Sequence, residues 1–571
     1  MPKTTENPAE ASAAQAVPTP ISRIERWTVS FFLLAALLLR CFYIFRFRYD
    51  SDEPQHLHTT WGWTQGMLQY RDFFDNHTPL FHILFSPLVA ALGERADILT
   101  YMRFSMVPLW FVALWAVWHL GSRLYSRRVG LWATVFIALL PWWFFPALEY
   151  RTDNLWAPLW LCALAVLLTG RLTLLRTFAG GFLLGICACT SMKTSLLLAV
   201  SAITAVLASQ ICARRFNSAT LVRLLKLALP LLTGLVIVPS VVCAFFAAKG
   251  CWADFYYGVI GHNLMIGVDA NAHPWYLRLA FPIALPILLY LAAHLPWSAN
   301  PSLTVRHIFL FLFAGLYYTA LDSFWALETR QDYLPFYPVA LLALTPLLLR
   351  RVETVGKIPK QTALLSLVAV IEITIILVGR SPFYDGTRDE REILREVLSL
   401  TRPGEYVMDF KGECVFRRRA FYYVIEPLTY SRMKLKLIED TVPKDMGEKN
   451  VHVVVNRYRW YQPDTRVFLR ENYLNIGQVR VAGRFIEENK TTPGNAITFP
   501  VGVPARYVLQ SDGQAIQGLL DGQPYTGARE LARGSHTFLP NGSYHRLTLI
   551  WDRAAEAGYS PCANQELQFE R

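Results

Sequence analysis

Residues 49 to 82 read YDSDEPQHLHTTWGWTQGMLQYRDFFDNHTPLFH. Asp50, Asp52, Glu53, His56, His58, Arg71, Asp72, Asp75 and His77 stand there among Trp, Tyr and Phe, directly after a first long apolar run at 27 to 45. A dense titratable loop beside an apolar run belongs at a membrane surface, and the remainder of the chain reads as helices that hold it. The composition agrees. Of 571 residues, 53% are hydrophobic and 17% charged, far from a soluble average, which predicts a polytopic α-helical membrane protein. The net charge of +12 sits mostly between apolar runs, so membrane topology accounts for it and nucleic-acid binding does not.

Residues 1–24, rich at first in Ala, Pro and Thr, read as a disordered cytoplasmic tail. The run at 27–45 has no small-residue cleavage site and is expected to remain as a helix. Further spans are predicted at 102–121, 129–148, 154–170, 178–191, 194–211, 227–247, 277–295, 307–325, 334–350 and 361–379, about eleven transmembrane helices in all. Residues 78–92 are short, contain Pro79 and Pro87, and suit an interfacial or re-entrant segment. With residue 1 inside, the basic groups Arg123/Arg127/Arg128, Arg171/Arg176, Arg214/Arg215/Arg223/Lys226 and Arg350/Arg351/Lys357/Lys360 all fall on the cytoplasmic side. The first loop 46–101, the turn 149–153, the turn around Lys193, the loop 248–276, the turn 328–333 and everything after 380 then share the outer face. The transmembrane domain is thus 25–380. Residues 381–571 are expected to form a soluble extracytoplasmic β-rich (α+β) domain, with a helix at 391–400 and strands near 406–410, 451–455, 478–486, 507–510 and 546–551. Six cysteines lie in apolar runs as core residues. Cys251, Cys414 and Cys562 lie outside, and their spacing selects no disulfide.

A helix starting near Pro54 would place Asp52 at or near its N-cap, so capping competes with chemistry as the role of this acid. A second acid, Glu149 or Asp153, returns to the same face beside Arg151, and two converging carboxylates suit a general base, a metal site, or both. His56, four residues after Asp52, can share its helix face. Asp52, His56 and Asp153 are therefore the candidate ligands for a divalent metal ion, although no metal motif of specific spacing occurs. Lys193 sits where two short apolar halves meet and either faces a cavity or an anion, or snorkels to the headgroups. Arg71, Arg151, Lys193 and Arg330, with Tyr333 nearby, place cations and a phenol on that face and favour an amphiphilic anion such as a lipid phosphate. Arg330 has the alternative of pairing with Glu328 or Asp332.

The order of a first helix, the Asp-Glu loop, the turn EYRTDN at 149–154, the Lys of SMKTS at 191–195 and the helix start RQDYLPFYP at 330–338 resembles the membrane glycosyltransferases of the GT-C superfamily. The nearest group is the protein mannosyltransferase and lipid A aminoarabinose transferase-like family, and the likeness covers about residues 25 to 350. The resemblance implies an inverting hexosyl or pentosyl transferase that moves a sugar from a polyprenyl-phosphate donor to an envelope lipid, glycan or protein at the outer face of a bacterial inner membrane. It implies that Asp52 is the catalytic base with Glu53 its neighbour, and that Asp153 is the second acid. Lys193, Arg330 and Tyr333 match positions near the donor phosphate. The text His77-Thr78-Pro79-Leu80 departs from the family's double proline, with His77 keeping a donor there. The reading from another class is a transporter or flippase for an anionic lipid or lipid-linked sugar, but no inverted pair of broken segments appears in corresponding halves.

Overall fold

The computed structural model describes residues 21–213, 218–264, 275–295, 297–298, 300–325, 328–457, 461–487 and 491–565. The start of the expected tail, Arg214, Arg215 and residues 265–274 of the loop 248–276 lie outside these.

Helices occupy every predicted apolar segment, and six are long and apolar enough to cross a membrane: Arg23–Ile44, Ile98–Leu124, Thr194–Cys212, Lys226–Ala248, Pro301–Phe324 and Ile358–Gly379. Arg127–Leu139 and Pro141–Leu148 form a pair bent by 67° that makes a seventh span if it crosses as one. Leu80–Leu92, Asp153–Leu168, Leu174–Thr190 and Ala280–His294 are shorter apolar helices. At 1.5 Å per residue helices of this size reach about 20 to 25 Å, against a hydrocarbon core of about 30 Å. The count of eleven crossings is therefore not established by length and composition. The helices pack around Trp132, Trp156, Trp160, Phe313 and Leu316, while Leu229, Val241, Ile283, Val370 and Val378 are exposed, the side-chain distribution of a bundle solvated by lipid tails. Leu174–Thr190 lies backbone to backbone on Ser218–Ala248: a Cβ on Gly181 would stand 2.0 Å from the Leu231 carbonyl oxygen, so only glycine fits.

The chain beyond 380 is α+β. In Arg388–Leu400 the buried residues Ile393, Leu394, Val397 and Leu400 recur at helical spacing and form one apolar stripe. A mainly antiparallel sheet runs in the order Arg529–Leu531, Ala505–Ser511, Leu547–Trp551, Val479–Glu487, Val453–Val455, and a second four-stranded sheet includes Gly534–Pro540 and Ile497–Val501. Tyr406–Val407 and Arg418–Arg419 pair in parallel, and the chain between them makes an excursion that leaves the β region. All nine cysteines are free thiols.

That excursion is docked on the first loop. Val415 and Phe416 share one apolar cluster with Leu57, Trp61, Phe81 and Tyr150. Arg417 pairs with Glu94 at 2.9 Å, and His58 Nδ1 lies 2.8 Å from the Val415 carbonyl oxygen. Gly412 has φ +91°, and a Cβ there would meet His58 Cβ at 2.6 Å, so glycine is required both for the turn and for the close approach.

Candidate active site

The first loop opens as the helix Asp52–Thr64, with Pro54 in its first turn as expected. Ser51 precedes the helix, so Asp52 is not its cap. The Asp52 carboxylate instead faces two cations, Arg151 Nη1 at 2.6 Å from Oδ2 and the Lys411 ammonium on Oδ1. Asp50 Oδ1 also meets Arg151 Nη1, at 2.5 Å. Arg151 Nε lies 3.3 Å from Asp153, Asp153 accepts from Lys193 Nζ at 2.9 Å, and Lys193 also pairs with Asp332. The chain Lys411, Asp52, Arg151, Asp153, Lys193, Asp332 thus alternates in sign and joins five remote segments at one end of the bundle. Four carboxylates (Asp50, Asp52, Asp153, Asp332) meet Arg151, Lys193, Lys411 and, through Asp50 at 3.6 Å, Arg48, so the charges of the line balance.

Burial opposes ionisation of Asp52, but Arg151 and Lys411 outweigh it and hold the carboxyl well below the usual carboxylate range. Burial likewise disfavours the charge on Lys193, yet Asp153 and Asp332 raise its pKa, so it is an ammonium. Glu149 goes the other way. Burial, with Asp50 and Glu53 adding to it against Arg151, raises its pKa well above the ordinary value, and its Oε2 accepts from Gln331 Nε2 at 2.6 Å.

Glu53 is fully buried. Its carboxylate takes two bonds from Arg103, at 2.7 and 2.5 Å, and one each from the backbone N–H of Asp50 and Tyr150 at 2.8 Å. Arg103 also donates to the carbonyls of Phe47 and Arg48, so this pair staples the loop to the bundle, and Glu53 has every oxygen engaged.

Of the other predicted residues, Arg71 and Tyr333 make their contacts outside the line of charges, whereas His77 lies close enough to help keep the Asp153 carboxyl ionised. Arg71 is exposed and pairs with its neighbour Asp72. The Tyr333 hydroxyl donates to Asp322 at 2.9 Å and bonds Glu328, away from Lys193. Arg330 is exposed and makes no ion pair among the described residues, so neither Glu328 nor Asp332 holds it. His77 Nδ1 lies 3.0 Å from Asp75, and its ring packs against His56 at 4.5 Å. The proposed metal set does not assemble: the Arg151 guanidinium stands between Asp52 and Asp153, and His56 Nδ1 is engaged by His82 Nε2 at 3.0 Å. No group of three or more His, Cys, Asp or Glu among the described residues is placed to hold an ion. The sequence reading missed Lys411 altogether, because nothing in the KGE context of residues 411–413 marks it.

No family model matches the chain, and no curated protein matches it either. Solved structures do. ArnT from Cupriavidus metallidurans bound to undecaprenyl phosphate superposes with a TM-score of 0.54 at 12% identity, covering 80% of this chain and 97% of that one. The same protein in the apo state gives 0.52 at 12% identity, with 81% and 98% covered. The oligosaccharyltransferase AglB from Archaeoglobus fulgidus, in complex with an inhibitory peptide and a dolichol-phosphate, aligns more loosely, with a TM-score of 0.44 at 12% identity over 80% of this chain and 74% of that one. The architecture follows from the two ArnT superpositions together with the apolar spans and the C-terminal sheets: the chain has the GT-C fold of polytopic membrane glycosyltransferases.

Proposed function

We propose that the protein is an inverting glycosyltransferase that takes a sugar from a polyprenyl-phosphate donor. The observation that carries this reading is the alternating line of charges from Asp52 to Asp332, which holds the Asp52 carboxylate and the Lys193 ammonium, with Arg151 and Asp153 between them, in one polar site on a GT-C bundle. The undecaprenyl phosphate bound by the structurally similar ArnT supports the donor class. In the reaction the acceptor oxygen bonds to the anomeric carbon as the bond from that carbon to the phosphate oxygen breaks, with inversion. Lys193 stabilises the negative charge on the departing polyprenyl phosphate, with the exposed Arg330 as a second cation. Asp52 orients the acceptor hydroxyl and takes its proton as the new bond forms. A phosphate monoester leaves as an anion at neutral pH, so no general acid is needed. Glu53 acts as an anchor through Arg103, and Asp153 positions Lys193 and Arg151. The polar end is assigned to the outer face of an inner membrane, with residues 381–571 as an extracytoplasmic domain, because the basic loops collect at the other end.

The test is release of polyprenyl phosphate from a panel of lipid-linked sugars by purified protein. Wild type should release it and Asp52→Asn should lose about 10²- to 10⁴-fold in rate while remaining folded. Full activity in Asp52→Asn removes the base assignment. A folded wild-type protein that releases nothing from any donor and acceptor pair, yet moves the lipid across vesicles, replaces the transferase with a transporter.

A further inference from the structure

A cavity of about 430 Å³ opens at the seam between the first loop and the β region, within the size range of small-molecule sites. Its walls include Arg418, Arg419, Lys449, Tyr406, Tyr422 and Phe73. The acids around it are engaged. Asp72 is held by Arg71 and by the backbone N–H of Leu68. Asp409 accepts from Arg419 Nε at 2.7 Å and from the backbone N–H of Cys414 at 2.8 Å. Asp445 lies 3.5 Å from Lys449. Arg71, Arg418, Arg419 and Lys449 stand against these three acids and Asp254, whose charge acts on Arg71 and Tyr422, so the wall is basic while its surroundings are balanced.

Two guanidinium groups of the wall are incompletely paired. The Arg419 side chain is 5% exposed, and its Nη2, which has no hydrogen-bond partner, is itself closed to solvent. Arg418 is exposed and makes no ion pair among the described residues. The accessible Arg418 guanidinium is the one free to meet a ligand, and guanidinium geometry suits carboxylate and phosphate. The aromatic rings beside it supply the flat apolar faces on which a sugar ring packs its C–H groups.

The cavity adjoins the helix that carries Asp52. His58, on the same helix as Asp52, lines it, and six residues at 1.5 Å each separate the two by about 9 Å along the helix. The excursion that ends in Arg418 and Arg419 carries Lys411, whose ammonium lies on Asp52. We propose that this cavity binds a saccharide bearing one oxyanion, carboxylate or phosphate, and that this molecule is the acceptor, held so that a hydroxyl on a neighbouring ring reaches Asp52. The word acceptor rests on the transferase reading; the binding site does not.

The experiment titrates the full-length protein in nanodiscs with glucuronic acid, glucose 6-phosphate, glucose and inorganic phosphate, read by saturation-transfer NMR and calorimetry. Glucuronic acid or glucose 6-phosphate should bind at least tenfold more tightly than either glucose or inorganic phosphate, and their ratio tells carboxylate from phosphate. Arg418→Gln, on an exposed side chain that leaves the fold intact, should weaken that binding about tenfold, as should Lys449→Gln, while Lys193→Gln leaves it unchanged. Equal binding by Arg418→Gln and Lys449→Gln, or inorganic phosphate binding as well as the charged sugars, overturns the site. Charged sugars that bind while Asp52→Asn keeps full release of polyprenyl phosphate leave the site standing and remove its acceptor role. Release that depends on Asp52, with no charged sugar bound, removes this inference alone.

Discussion

Replacing Lys411 with Gln tests whether the β region sets the basicity of Asp52. The ammonium contacts one oxygen of the carboxylate while Arg151 holds the other at 2.6 Å. An opposite charge this close depresses a carboxyl by about 1 to 3 units. Coulomb's law at an effective dielectric of 20 gives about 4 kcal/mol at 4 Å, near the top of that range. Asp52 is 19% exposed and keeps Arg151, so solvent screening and the remaining guanidinium make the loss of Lys411 a smaller effect than the loss of both cations. The sign is fixed: losing a cation raises the carboxyl pKa, so the ionised base is lost at higher pH. The acid limb of kcat/KM for polyprenyl phosphate release, which in the wild type lies below the ordinary carboxylate range and is followed from about pH 2 upward, should therefore move up in Lys411→Gln, with the neutral plateau kept within a few-fold. An acid limb that stays in place, or moves down, refutes the coupling of Lys411 to the base.

Gly412→Ala should reproduce that pH shift from a distance, because its Cβ meets His58 at 2.6 Å and forces the excursion off the first loop; limited proteolysis within residues 408–417 should accelerate, and an unchanged cleavage rate argues against the docking. Arg103→Ala strands the fully buried Glu53 and should cost about 3 to 5 kcal/mol, seen as a lowered thermal midpoint or loss of folded protein, whereas an unchanged midpoint contradicts the staple. Lys193→Gln should lower kcat/KM for the lipid donor by about 10²-fold or more, with partial rescue by Lys193→Arg. Circular dichroism of Lys193→Gln separates this from unfolding, and a folded variant with wild-type donor turnover ends the phosphate role.

The helical half was legible because long apolar runs need a membrane and the basic loops between them have a preferred side. The same logic of sidedness brought Asp52, Asp153 and Lys193 to one face, and the structure links Asp52 to Asp153 through Arg151 and Asp153 to Lys193 directly. What it missed follows from geometry that composition does not carry. Tyr333 stands one residue after Asp332, and successive residues of a 3₁₀ turn differ by about 120°. Asp332 therefore meets Lys193 while Tyr333 points to Asp322 and Glu328. His56 shares a helix with Asp52 but is drawn into buried contacts with His82 and His77, which neither spacing nor periodicity reveals. Lys411 was invisible for another reason. Its partner is 359 positions away, and a single Lys in a polar stretch has no pattern to read.

That separation also orders events in time. Ribosomes add roughly 5 to 20 residues per second, so about 20 to 70 s pass between the emergence of Asp52 and that of Lys411. During that interval the helices inserted first carry Asp52 beside Arg151 alone, and the growing chain holds a half-built ion pair. Only when translation reaches the excursion and the β region folds onto the loop does the last cation arrive, so a nascent or prematurely terminated chain is embedded in the bilayer without a finished site.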